Sequence, residues 1–173
     1  LAEFPHLDGV FDIIYNPART ELLLQAEKLE MPNRNGLYML VAQAKRSSEL
    51  FTGHNIPDEE IDRIYNELSL AMQNIVLIGM PGVGKSTVAK KISEFTGRKM
   101  VDSDDEITRV AGETPETLIN RDGEAAFRKI ESGVLRDLGM QSGLVMATGG
   151  GVIVCRENYD YLHQNGIIVW LQG

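Results

Sequence analysis

The chain has almost nothing with which to cross-link itself. It carries one cysteine, Cys155, in 173 residues, so no internal disulfide framework can form. A solitary cysteine is expected to act as a small buried apolar residue, and the lack of a partner fits a reducing cytoplasm. No stretch approaches the ~20 apolar residues that a membrane-spanning helix needs. No basic segment followed by an apolar run opens the chain, so no signal peptide is read. Positive charge is also scarce: 17 lysines and arginines stand against 25 acidic residues, for a net charge of -8. Such a chain is repelled by a phosphate backbone and by anionic lipid, so neither nucleic acid nor a membrane is expected as a partner. An anionic nucleotide is not excluded, because local groups decide its binding. The three histidines, His6, His54 and His163, lack metal-ligand spacing.

What is present is ordinary in amount. Apolar residues make up 43% and charged residues 24%, as in a soluble globular protein. The length suits one domain, or one domain with an appendage. Leu1 is not a natural start, so the chain reads as a piece of something longer.

Three zones are expected. In residues 1–55, Val10–Tyr15 is a short β-type run ended by Asn16-Pro17. Thr20 opens a helical pattern through Leu22, Leu23, Ala26 and Leu29, and Met31–Gly36 is loop. A second helix carries Leu37, Leu40, Val41 and Ala44 on one face. Residues 56–73 form a linker: Pro57-Asp58 starts an amphipathic helix with Ile61, Ile64, Tyr65, Leu68 and Met72. In residues 74–173, strand-like runs (Ile75–Ile78, Lys99–Val101, Leu144–Ala147, Ile167–Leu171) alternate with helical patterns, notably Ser86–Phe95 and Gly123–Leu138. That alternation predicts an α/β fold with a parallel sheet covered on both faces, preceded by a mainly helical appendage. Trp170, in the last run, is expected in the core.

Chemistry concentrates at strand ends. Gly79-Met80-Pro81-Gly82-Val83-Gly84-Lys85-Ser86-Thr87 fits the pattern G-x-x-x-x-G-K-[ST] between an apolar run and a helix. Glycines let backbone N–H groups wrap an anion, and the following helix points its positive end at it. Gly79, Gly82, Val83, Gly84, Lys85, Ser86 and Thr87 are therefore candidate nucleotide-binding residues. Lys85 reaches the phosphates, and the Ser86 hydroxyl is a ligand for Mg²⁺, which comes with ATP. Asp102 and Asp104 follow the second strand, where ligands of open parallel sheets bind. One of them suits the metal and the other can accept a proton from a hydroxyl. Arg128 shares a helix face with Glu131 and can grip a carboxylate bidentately. Gly149-Gly150-Gly151 follows the third strand, where a ligand must touch backbone.

Together the phosphate loop, VDSDDEI, DGEAAFRKIE and ATGGG resemble shikimate kinase from Asn74 to about Leu171. The resemblance implies a three-layer P-loop kinase fold and ATP-dependent phosphorylation of shikimate to shikimate 3-phosphate. It implies catalytic Lys85 and Asp104, metal-binding Ser86 and Asp102, and substrate-binding Asp104, Arg128, Gly149, Gly150 and Gly151. ATP, ADP and shikimate are the implied partners; the sequence specifies no oligomeric state. Ile119 stands where the family commonly has an aromatic residue. The family continues past this point with a mobile lid, a second arginine for the shikimate carboxylate and an adenine-binding loop. Turnover by this polypeptide alone is therefore expected to be impaired. Alternatives are another P-loop small-molecule kinase, for gluconate or a nucleoside monophosphate, or a nucleotide-binding fragment without catalysis.

DIIYNPARTELLLQAEK, NGLYMLVAQA and ELFTG, within Phe11–Gly53, resemble the carboxyl end of a shikimate dehydrogenase. That resemblance places Tyr15 and Gln43 near substrate and Gly36 near nicotinamide. No dinucleotide fingerprint precedes the segment, so no dehydrogenase activity is expected. The chain reads as the junction of a fused dehydrogenase–kinase.

Overall fold

The computed structural model describes residues 1–4 and 6–172. Gly173, the expected end of the third zone, lies outside the described residues. The chain divides into two compact units, Leu1–Met72 and Gln73–Gly173.

In the first unit, β1 (Val10–Phe11) pairs in parallel with β2 (Asn33–Arg34). The β-type run read as far as Tyr15 is thus shorter than expected, and part of the loop read over Met31–Gly36 is a strand. The reason is local. Asp12 Oδ1 accepts from the Ile14 amide at 2.9 Å, turning the chain out of the ladder, and leaves Ile13 exposed. Helix α1 (Glu21–Lys28) starts where Thr20 caps it, its hydroxyl taking the Leu23 amide. Leu23 and Ala26 then pack with Val10. Helix α2 (Leu37–Thr52) ends at the left-handed Gly53. Helix α3 (Glu59–Met72) lies against α2, with Tyr38 and Tyr65 edge to face at 5.6 Å.

The second unit is an α/β layer structure. Its strands β3 (Asn74–Gly79), β4 (Lys99–Asp102), β5 (Leu144–Ala147) and β6 (Gly166–Leu171) form a parallel sheet in the order β4-β5-β3-β6. Helix α4 (Lys85–Thr96) covers one face, where Ala89 meets Leu77, Val145 and Ala147. The other face carries α5 (Ser103–Ala111), α6 (Pro115–Asp122), α7 (Glu124–Gly139) and α8 (Arg156–His163). There Ile107, Leu118, Phe127, Leu135 and Leu162 close on Val76 and Met146. Successive β3 residues point to opposite layers, Val76 to one core and Leu77 to the other, as the strand period of two requires. A 3-10 turn, Val152–Val154, precedes α8.

Two buried asparagines tie the amino ends of the strands. Asn74 donates to the Gln141 carbonyl at 2.7 Å and accepts from the Leu144 amide at 2.8 Å. Asn165 spans the carbonyls at the end of α7. These polar groups are buried because each meets a backbone partner. Trp170 departs from expectation. It is 64% exposed, because among the described residues β6 is an outer strand with a neighbour on one side only. Cys155 is half-buried rather than buried, at the amino-terminal cap of α8. Among the described residues, no helix is long and apolar enough to cross a membrane.

Helix α7 contains two glycines whose substitution should act in opposite directions. Alanine in place of glycine in a helix gains about 0.8–1 kcal/mol in propensity. At Gly133 an added methyl meets nothing within 4 Å, so Gly133→Ala should stabilise by up to about that amount. At Gly139 the same carbon would lie 1.9 Å from the Tyr161 carbonyl oxygen. The helices must then part, and Gly139→Ala should destabilise by about 1–3 kcal/mol. Denaturant midpoints of the two variants should fall on either side of the parent; a shift of both in one direction would contradict this packing.

Candidate active site

The carboxyl ends of β3, β4 and β5 open to the same side, since the strands are parallel. Each end runs into a segment that the sequence singles out. β3 leads into the phosphate loop, in which Gly82 and Gly84 hold φ of 81° and 92°. Side chains rarely adopt that conformation, so the inward turn of the amides depends on glycine here. Gly84 is also the cap of α4, whose amino end faces the loop. Lys85 is buried, its Nζ donating to the carbonyls of Gly79 and Met80 at 2.8 and 2.9 Å. Among the described residues no carboxylate pairs with it at that distance, which leaves a positive charge held at the loop's centre.

β4 ends at Asp102, which caps α5: its Oδ1 accepts from the Asp104 amide at 3.0 Å. Its other oxygen accepts from the Ser86 hydroxyl at 2.9 Å. The two candidate metal ligands are therefore adjacent, and both present hard oxygen atoms of the kind Mg²⁺ takes. Among the described residues, no group of three His, Cys, Asp or Glu side chains forms a metal site by itself. The donor set therefore fits a cation that draws its remaining ligands from phosphate and water.

β5 runs through Thr148, which bonds the Leu77 carbonyl through both its amide and its hydroxyl, into Gly149–Gly151. Each glycine is hemmed in by a different group. A methyl at Gly149 would lie 2.8 Å from Asp104 Oδ1, at Gly150 2.5 Å from Pro81 Cγ, and at Gly151 2.5 Å from Arg128 Nη2. The glycine turn thus touches the acidic turn, the phosphate loop and the arginine helix in succession. A cleft of about 360 Å³ lies among these segments and takes in Lys85, Ser86, Asp102, Asp104 and Gly149–Gly150.

Arg128 projects from α7 toward the turn and not into open solvent. Glu131, itself 1% exposed, receives one of its donors at 2.8 Å, and Glu124 another at 3.0 Å. Its Nε is buried with no acceptor among the described residues. Leaving such a donor unpaired costs about 1–3 kcal/mol or more. Arg128 does not line the cleft that holds Lys85 and Asp104; it borders a neighbouring cavity of about 530 Å³ together with Lys129, Arg136 and Arg156. Ile119 lies on α6, part-way exposed.

Asp104 has its carboxyl raised above the ordinary 3.8, first by burial, then by the charges of Asp102 and Asp105; Lys85 and a hydrogen bond from Ser103 pull the other way. Two features of the site were not read from the sequence. One is the helix α5 itself, although Asp102 with three following acids is a start signal. The other is Ser103, a buried hydroxyl whose partner, the Gly149 amide, lies 46 positions away; no local pattern encodes that bond. In the first unit, Tyr15 and Gln43 are exposed. A methyl on Gly36 would collide with the Ile13 carbonyl.

Two outcomes are expected. A charge-assisted phosphate contact is worth about 1.5–3 kcal/mol. Lys85→Ala should therefore weaken ADP binding roughly ten- to a hundredfold in a calorimetric titration; unchanged affinity would remove the phosphate loop from consideration. The second concerns Asp104. Its raised value means that the ionised form is less favoured in the folded chain than in the unfolded one. Ionised Asp104 therefore costs stability at neutral pH, and the cost fades as pH falls through the folded value. Without divalent cation, Asp104→Asn should melt higher than the parent at pH 7, and the gap should narrow on acidification. A variant melting lower at pH 7 would show that the carboxylate is a net stabiliser.

Comparison with known proteins accords with this geometry. The family model for shikimate kinase matches residues 81–173. The shikimate kinase of Gloeobacter violaceus is 45% identical over 100 residues, covering 58% of this chain and 56% of that protein. One from Acinetobacter baumannii is 43% identical over the same length. The structure described as shikimate kinase from Acinetobacter baumannii in complex with shikimate is similar with a TM-score of 0.58 at 40% identity. It covers 62% of this chain and 60% of that one. The Aquifex aeolicus shikimate kinase structure gives 0.55 at 33% identity, covering 58% and 60%. The chain spans little more than half the length of the curated relatives it matches. With the family's model matching more than half of its residues, around a phosphate loop, an acidic turn and a glycine turn that share one cleft, the chain belongs to the shikimate kinase family.

Proposed function

We propose that the second unit binds ATP at Gly79–Thr87 and shikimate against Asp104, Arg128 and Gly149–Gly151, and that the full-length protein transfers the γ-phosphoryl group to a shikimate hydroxyl, giving shikimate 3-phosphate for aromatic amino-acid biosynthesis. The observation that carries this reading is the contact of the glycine turn with Asp104, Pro81 and Arg128 together. That close approach favours a reading in which Asp104 meets a hydroxyl, the phosphate loop a phosphate and Arg128 a carboxylate.

Each residue has a task. Lys85 holds the phosphate oxygens and offsets their charge. Ser86 and Asp102 would hold Mg²⁺, which when bound neutralises charge on the β- and γ-phosphate oxygens. Arg128 takes the carboxylate of the acceptor, Nε supplying the donor that lacks a partner. Glu131 keeps the guanidinium aimed at the turn. Asp104 accepts the proton of the attacking hydroxyl; its raised affinity for protons suits a base better than an ordinary aspartate would. The glycine turn supplies backbone to the acceptor at a distance that any side chain would obstruct. Little covalent work is left to the protein, and positioning accounts for the rate.

A cytoplasmic location suits this reading, since both substrates are small and soluble. For the first unit we propose a dehydrogenase-like carboxyl-terminal segment, fused ahead of the kinase and without coenzyme binding of its own.

Arg128→Ala decides the acceptor. In the full-length natural protein it should raise the shikimate requirement roughly ten- to a hundredfold, the loss of one charged, hydrogen-bonded contact, and leave that for ATP nearly unchanged. Parallel loss of both would show that Arg128 holds the fold and not the substrate, and an unchanged shikimate requirement would remove shikimate from this pocket.

A further inference from the structure

The two walls of the cleft are joined by a side chain that has no place in the phosphate, metal or carboxylate sites. Ser103 is the first residue of α5, between Asp102 and Asp104, and is 1% exposed. Its Oγ accepts from the Gly149 amide at 3.0 Å. A serine hydroxyl offers one proton and two lone pairs, so this one can accept from the amide with a lone pair and still keep its proton.

The position matters because of what flanks it. Gly149 is the point at which the glycine turn comes closest to Asp104, with space too small for a methyl. On one side the turn is already held, since Thr148 bonds the Leu77 carbonyl twice. On the other, Asp102 fixes the Asp104 backbone and reaches Ser86. Ser103 is the remaining joint, linking the element that carries the hydroxyl-binding acid to the backbone that faces it. Without it the Gly149 amide loses its acceptor in a half-buried place, and the turn is free to seek another.

Resting on the shikimate reading above, we propose that Ser103 is a positioning residue of the acceptor site, setting the gap between the Asp104 carboxylate and the glycine turn through its bond to the Gly149 amide. It touches neither substrate. Its loss should be felt on the acceptor side and in transfer, whereas the phosphate loop, held by its own contacts, keeps its nucleotide.

The test uses the full-length natural protein and three measurements: ADP affinity, shikimate affinity and turnover. Ser103→Ala should leave ADP affinity within about twofold, weaken shikimate binding by roughly three- to tenfold (one neutral hydrogen bond's worth) and lower kcat. Ser103→Thr, which keeps the hydroxyl, should recover most of the loss. Acceptor binding unchanged in Ser103→Ala would overturn the inference. So would equal losses for ADP and shikimate together with a lowered melting temperature, which describes a general packing role. No gain on going from Ala to Thr, in a variant that melts like the parent, would overturn it as well. If the parent protein itself fails to bind shikimate, the proposed function falls first and this inference with it. A parent that binds shikimate beside an indifferent Ser103→Ala removes only the inference.

Discussion

Close approach of backbone to side chain at the carboxyl edge of the sheet is the constraint on which the site depends. Within three residues, Gly149–Gly151, the chain passes within a methyl's width of a carboxylate, a proline ring and a guanidinium. A single Cβ at any of them would push one wall of the cleft outward. Three successive glycines weaken the ordered chain by the entropy they lose, roughly 0.5–1 kcal/mol each relative to alanine. The surrounding contacts hold the turn despite this. Thr148 anchors it to β3, Ser103 to α5, and Asn158, buried on α8, donates to the Val152 carbonyl just beyond it at 2.8 Å.

The electrostatics follow from the same geometry. Bringing Asp102, Asp104 and Asp105 to one helix start suits the amino end of α5, whose dipole favours negative charge. It also sets like charges side by side, and burial adds to the cost for Asp104. Lys85 offsets part of this, yet its own hydrogen bonds go to loop carbonyls and not to the acids. The cleft thus holds acids and a cation that are close without being paired off. Groups left in that state retain most of their interaction energy for whatever binds between them, which is how preorganised sites gain from electrostatics.

Much of this was legible in the sequence because it is encoded locally. The phosphate loop is a contiguous pattern with fixed backbone demands, and β3, β5 and α7 announce themselves by runs and periodicity strong enough to fix their ends within a residue or so. The elements that were missed are short ones. α5 and α6, of nine and eight residues, hold few buried positions each, too few for a periodic stripe, although Thr114-Pro115 at the start of α6 is a cap followed by a proline at the first helical position. Trp170 went astray because apolar character predicts burial only where a neighbour exists, and strand order is not written in the strand itself. Cys155 is half-buried because a cap position on α8 outweighs its small apolar nature. Ser103 was illegible for a different reason, as its bond spans 46 residues.

Under the proposed function one short segment serves two ligands, and its backbone accounts for how. Asp102-Ser103-Asp104 occupies a single turn, yet its three side chains face three directions: Asp102 toward Ser86 of the phosphate loop, Ser103 toward the Gly149 amide, and Asp104 toward the glycine turn. Asp102 is still extended, as the last residue of β4 and the cap of α5; from Ser103 on, helical geometry rotates successive residues by about 100°, and a helix start leaves its first side chains unencumbered by a preceding turn. A strand or a loop would not separate three adjacent side chains in this way with the same rigidity: strand residues alternate between only two faces, and a loop lacks the backbone ladder. Placing the acids at the beginning of α5, directly after β4, therefore lets the sheet edge hold the phosphate loop and the glycine turn in fixed relation through one turn of backbone.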